Sequence, residues 1–224
     1  MGRESDSRSA PGVEEVPARG DGSPMRRDAA RNRGRLLSAA AEVFAESGLQ
    51  AGVEDVARQA GVGMGTLYRH FPNKDALIDE LVGDLLDELL KDALDALEEP
   101  DGTGLETFLR AVGAQQSERL GCLPRLWSSA EHRDLMVSIR EAATALLEDA
   151  QRHGRVRPDL APPDLFALLW SLRGVIQTSH AVDPDAWRRH LEILLIGIAP
   201  SPTPLHHPPM SDRAVGELFA SLTV

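Results

Sequence analysis

With one cysteine, Cys122, in 224 residues, no disulfide can form within the chain, and a reducing compartment is the expected setting. Aromatic residues make up only 4% of the sequence, with a single tyrosine. No stretch alternates apolar and polar side chains long enough for a convincing strand. No apolar run approaches the roughly 20 residues of a membrane span, and the N-terminus lacks the apolar segment of a secretory signal. A soluble, cytoplasmic protein with no membrane partner is expected. Also missing are a Gly-rich phosphate loop, a nucleophile motif and zinc-ligand spacing. No catalytic residue, cofactor or metal is therefore assigned, and the chain is not read as an enzyme. His132, between Glu131 and Asp134, does not suggest a metal site, because adjacent residues on a helix diverge in direction. His206 and His207 fall in a Pro-rich segment.

The net charge of −11 is unevenly spread. Residues 1–24 carry three arginines against five acids, and residues 75–224 carry 13 basic against 25 acidic side chains. Only residues 25–74 are net positive, with seven arginines and one lysine against five acids. Such a distribution orients a protein on a polyanion, attracting one end and repelling the other.

A hydrophobic fraction of 42%, rich in Ala and Leu, favours helices around an ample core. Residues 1–25 are Gly-, Ser- and Pro-rich and are expected to be a disordered tail. A first helix carries Leu36, Leu37, Ala40, Val43 and Phe44 at helical spacing and stops at Gly48. A second runs from about Val53 to Ala60. Gly61-Val62-Gly63 is a turn, and a short third helix runs from Met64 to His70, ended by Pro72. Asn73 caps a long fourth helix that continues to residue 97. Further helices are expected near 103–119, 124–133, 135–153, 163–180 and 184–198. Residues 200–224 read as a Pro-rich tail with a possible short helix at 212–222. The fold class is all-α. An N-terminal three-helix domain at 26–76 carries a helix-turn-helix, and a larger helical domain at 77–199 serves ligand binding and dimerisation.

Two short helices joined by a Gly-containing turn fit a helix-turn-helix, whose second helix enters the major groove of DNA. Leu67 and Phe71, four apart, pack inward. Thr66, Tyr68, Arg69 and His70 are left outward, all able to donate hydrogen bonds, and Lys74 comes next at the start of the fourth helix. Clustered donors of this kind suit phosphate contacts. The run Ala60-Gly61-Val62-Gly63-Met64-Gly65-Thr66-Leu67-Tyr68-Arg69-His70-Phe71-Pro72-Asn73-Lys74-Asp75-Ala76-Leu77 resembles the DNA-binding domain of the TetR family of bacterial repressors. The resemblance extends from about Arg31 to Leu81. It implies a nine- or ten-helix fold, a two-fold homodimer, an inverted-repeat operator in double-stranded DNA and a C-terminal pocket for a small-molecule effector. It further implies that Tyr68, His70 and Lys74 contact phosphates and that Met64, Gly65 and Thr66 lie nearest the base edges. Glycines stand at the expected N-caps of helices 2 and 3, Gly52 and Gly63, where the family usually has a hydroxyl. The Arg-rich stretch before helix 1, Arg31 included, could supply contacts in their place.

In the C-terminal part, Phe108, Trp127, Met136, Trp170, Arg173 and Gln177 are candidate effector contacts, mixing apolar bulk with two hydrogen-bonding groups. The helices near 163–180 and 184–198 are apolar on more than one face. Leu168, Leu172, Val175, Leu191, Leu194 and Ile198 are therefore candidates for the dimer interface. Two other readings stand beside a ligand-released repressor. One is a helical enzyme or binding module whose hairpin is structural; the other is a regulator gated by a protein partner.

Overall fold

The computed structural model describes residues 24–119 and 132–221. Residues 1–23 of the expected tail, Cys122, Trp127 and most of the helix expected at 124–133 lie outside them. The described residues contain no strand. In chain order their α-helices are α1 (Pro24–Ser47), α2 (Val53–Ala60), α3 (Met64–His70), α4 (Lys74–Leu97) and α5 (Gly104–Glu118). After these come α6 (Arg133–Arg152), α7 (Pro162–Ser179), α8 (Ala186–Ile198) and α9 (Asp212–Ser221).

The N-terminal core matches the apolar spacing. Leu36, Ala40 and Phe44 of α1 are buried against Val56 and Ala60 of α2, Leu67 of α3, Phe71, and Leu77 of α4. At about 1.5 Å per residue, α4 is about 36 Å long and joins this small domain to the rest. Its stripe of Leu81, Val82, Leu85, Leu86, Leu89, Ala93 and Ala96 is buried against α5 and α6. The close helix crossings depend on missing side chains. A Cβ on Gly104 would meet the Ala96 carbonyl of α4, and one on Gly113 would meet the Trp187 ring at the start of α8.

The C-terminal segment is held by polar contacts. Arg157, 7% exposed, donates to both carboxylate oxygens of Asp159 and, through Nη2, to the Thr203 carbonyl at 2.6 Å. Asp159 Oδ2 accepts from the Leu205 amide at 2.8 Å. The hydrogen bonds from Arg157, then that from Leu205, hold the Asp159 carboxyl well below the usual carboxylate range. A folded pKa below the unfolded one gives stability that is fully present above the unfolded value of about 3.9 and is lost as pH falls towards the folded value. Protection of the Leu205 amide from hydrogen exchange should accordingly fall as pH drops below about 4. An amide whose protection is unchanged down to acid unfolding would contradict the clamp.

Candidate nucleic-acid interface

The turn between α2 and α3 is set by Gly61, whose φ of 64° is left-handed and favours glycine. Its N–H bonds to Arg58 O, and the Val62 N–H reaches back to Ala57 O at 3.0 Å, closing α2 with the paired bonds of a glycine C-cap. Gly63 begins α3 in extended backbone with no side-chain cap, and Gly52 does the same for α2. Both helices therefore start without the hydroxyl that a Ser or Thr would bring.

Leu67 and Phe71 are fully buried and fix the rotation of α3. Gly65, Tyr68 and Arg69 are exposed, Thr66 and His70 half-buried; Tyr68 keeps 49% of its surface open although it is a large aromatic. Met64 is half-buried and packs against the core. Phe71 leaves the helix in extended conformation, φ −131°, as a residue before proline prefers. Asn73 then caps α4, its Oδ1 accepting from the Ala76 N–H at 2.8 Å.

The cations around this surface are deployed unequally. Lys74, expected at a phosphate, is partly engaged within the protein. Its Nζ donates to the Leu49 carbonyl and lies 5.7 Å from the centre of the Phe44 ring, which ties the end of α1 to the start of α4. An ammonium has three donors, so two remain for another partner. Arg33 pairs with Glu80 and covers the Phe71 ring at 5.2 Å, again joining α1 to α4. Arg31 is exposed and paired with Asp28 on its own helix at 3.2 Å. Arg69 is exposed on α3 and makes no ion pair among the described residues.

Beyond the helix-turn-helix, an apolar cavity lies between α4, α5, α6 and α7. Leu85, Leu86 and Leu89 form its α4 wall, with Phe108, Met136, Phe166 and Leu169 opposite. It leaves about 30 Å³ for the centres of water-sized molecules, room for about two waters. Of the six candidate effector contacts, Phe108 and Met136 line it. Trp170, Arg173 and Gln177 come after Phe166 and Leu169 along α7 and are not part of its described lining; burial lowers the pKa of the Arg173 guanidinium, while Gln177 is exposed. Trp127 lies outside the described residues. Three polar residues that do line the cavity, Gln115, Gln116 and Arg140, were missed. Gln115 and Gln116 were legible as polar residues continuing the stripe Leu105, Phe108, Leu109 and Val112, and of the two only Gln116 is buried.

The residues expected at a dimer face divide between the core of the protomer and its surface. Leu172, Leu191 and Ile198 are buried within the protomer, where Leu168 and Leu194 join them in the seam between α7, α8 and Leu109 of α5. Val175 is half-buried against the same core. What α7 leaves exposed includes a stripe of small residues, Ala167, Ser171, Gly174 and Thr178, and what α8 leaves exposed includes Ile193 and Ile196. Ser171 Oγ lies 3.2 Å from His190 Nε2, so the two stripes adjoin. Of the six expected interface residues, Leu172, Leu191 and Ile198 are thus taken up inside the protomer, while Leu168, Val175 and Leu194 stay half-buried.

Known proteins carry the same assembly. Residues 36–81 match the model of bacterial regulatory proteins of the tetR family, and residues 100–200 match an SbtR-like transcriptional regulator C-terminal domain. The transcriptional repressor KstR2 of Mycobacterium tuberculosis is 34% identical over 144 residues, spanning 57% of this chain and 70% of the relative. A TetR regulator from Streptomyces coelicolor has a solved structure that is 35% identical, with a TM-score of 0.58 over 75% of this chain and 99% of that one. One from Mycobacterium vanbaalenii is 30% identical, also with a TM-score of 0.58, over 79% and 99%. The chain belongs to the TetR family of DNA-binding transcriptional regulators. Among the described residues, no helix is long and apolar enough to cross a membrane.

Proposed function

We propose that the protein is a repressor that binds an inverted-repeat operator as a homodimer and releases it when a small apolar molecule occupies the cavity beside α4. The observation that carries this reading is the outward face of α3. Buried Leu67 and Phe71 turn Thr66, Tyr68, Arg69 and His70 to solvent on the net-positive end of an otherwise acidic chain. Tyr68, Arg69 and His70 serve as phosphate contacts, with the remaining Lys74 donors and Arg31 at the edge of the footprint. Met64, Gly65 and Thr66 approach the base edges, Met64 suiting a thymine methyl. Ligand gating rests on the position of α4, which begins at the DNA-facing domain and forms one wall of the cavity. A ligand that weakens DNA binding must prefer a conformation the operator does not accept. KstR2 is a ketosteroid transcriptional regulator, and this relation supports a lipophilic effector class. Selection of genomic fragments bound by the protein, with sequencing and a reporter assay, tests the reading. Enrichment of one inverted repeat whose promoter is silenced by the protein is expected; fragments without a shared sequence would overturn it.

Dimerisation is assigned to the exposed stripes of α7 and α8, where Ala167 and Gly174 permit close approach and Ile193 and Ile196 supply apolar area. Ile193→Lys with Ile196→Lys should convert the protein to monomer in sedimentation and weaken operator binding in parallel. Leu172→Lys and Leu191→Lys should instead unfold the protomer, because both side chains are internal. A double Ile variant that stays dimeric would move the interface elsewhere.

A further inference from the structure

The cavity between α4, α5, α6 and α7 contains one polar atom that the fold leaves unanswered. Gln116 is 5% exposed, and its Oε1 has no hydrogen-bond partner among the described residues. It lines the cavity with leucines from α4, Phe108, Val112, Ile139 and Phe166. A buried amide oxygen without a donor costs roughly the free energy of desolvating it, and a purely apolar core would place Leu or Met here, where the stripe of α5 calls for one. The other polar side chains at the cavity, Gln115 and Arg140, are half-buried, and the Arg140 guanidinium lies 5.5 Å from the centre of the Phe166 ring.

We infer that the cavity takes a predominantly apolar molecule bearing a hydroxyl, and that Gln116 is the residue that selects it. This inference rests on the reading of the cavity as the effector site and adds the class of ligand. A hydroxyl fits either end of the amide, since it donates to the oxygen and accepts from the nitrogen. The apolar lining supplies affinity, and the buried Gln116 amide supplies discrimination. Sites built to bond a polar group reject the analogue that lacks it, because the buried partner is then left unpaired. Size supplies the link to DNA. A space for about two waters does not admit a ring compound as it stands. Entry must spread Leu85, Leu86 and Leu89 away from Phe108 and Phe166, and those leucines are on α4.

Phenol and toluene are near-isosteric probes that differ in the hydroxyl alone. Calorimetric titration of each into the full-length dimer is expected to show phenol binding about tenfold tighter, the size of one hydrogen bond to a buried acceptor. In Gln116→Leu that preference should vanish or reverse, while dimer mass and cooperative unfolding are kept; Gln116→Met serves if the leucine variant does not fold. Equal affinity of the wild type for both probes, or a preference that survives in the variant, overturns the role of Gln116 and leaves the cavity as an apolar effector site. No binding of either probe overturns both readings. The same holds if Gln116→Leu raises the unfolding temperature and neither probe raises it further, for Gln116 then only holds a water.

Discussion

Tyr68→Phe should lower operator affinity about a hundredfold while leaving the fold untouched. The ring of Tyr68 is half exposed, so removing only its oxygen disturbs no packing. A hydrogen bond to a charged phosphate contributes roughly 1.5 kcal/mol, about tenfold in affinity, and a two-fold dimer makes the contact twice. Because phosphates are common to all sequences, the loss should be of the same size on operator and on random duplex. The hydroxyl is neutral, so the slope of affinity against salt should not change; Arg69→Ala should flatten it by about one unit per arginine removed from a phosphate. Thr66→Ala should behave differently again and alter base preference at symmetric positions. A Tyr68→Phe protein with undiminished affinity would show that the hydroxyl reaches no phosphate.

Gly104→Ala should be the most destabilising single-methyl change in the molecule. The new Cβ meets backbone, the Ala96 carbonyl, which cannot rotate away, and Leu146 Cδ2 stands 3.0 Å off on the other side. Overpacking that backbone cannot relieve belongs at the upper end of the usual range, about 3 kcal/mol. For a chain of this size that lowers the unfolding temperature by about 6–12 °C, measured at fixed protein concentration because TetR-family regulators dimerise. Gly113→Ala presses on the Trp187 ring, a side chain that can shift, and should cost less. Gly34→Ala meets nothing within 4 Å in the interior of α1 and should be neutral or stabilising by up to about 1 kcal/mol. Equal effects at positions 34 and 104 would mean that α4 and α5 do not cross as closely as described.

The DNA-facing end was legible because its boundaries are written in residues that act locally. Gly61 permits the left-handed turn, Pro72 excludes helix before it, and Asn73 caps α4, so α2 and α3 have the bounds expected from the sequence. The inward turn of Leu67 and Phe71 came from spacing alone. What could not be read depends on partners distant in sequence. Lys74 meets a carbonyl 25 residues earlier, which no local pattern announces. On α7 and α8 the apolar residues exceed one face, and periodicity does not say which stripe faces α5 and which is left over. Leu172, Leu191 and Ile198 turned inward because Leu109 of α5 is there to receive them. Of the α7 residues, Phe166 and Leu169 line the cavity while Trp170, Arg173 and Gln177 do not, and which turn of α7 faces it depends on how α5 and α6 pack there, not on local spacing.

The central claim is that α3 of each protomer in a two-fold dimer reads one half of a symmetric site. Hydroxyl-radical footprinting on the selected operator tests it most directly. Two protected patches of equal strength are expected, related by the dyad of the inverted repeat and centred on major-groove faces of the duplex. Both should weaken together in Tyr68→Phe. A single patch, or protection that ignores the inverted repeat and persists in Tyr68→Phe, would contradict the claim.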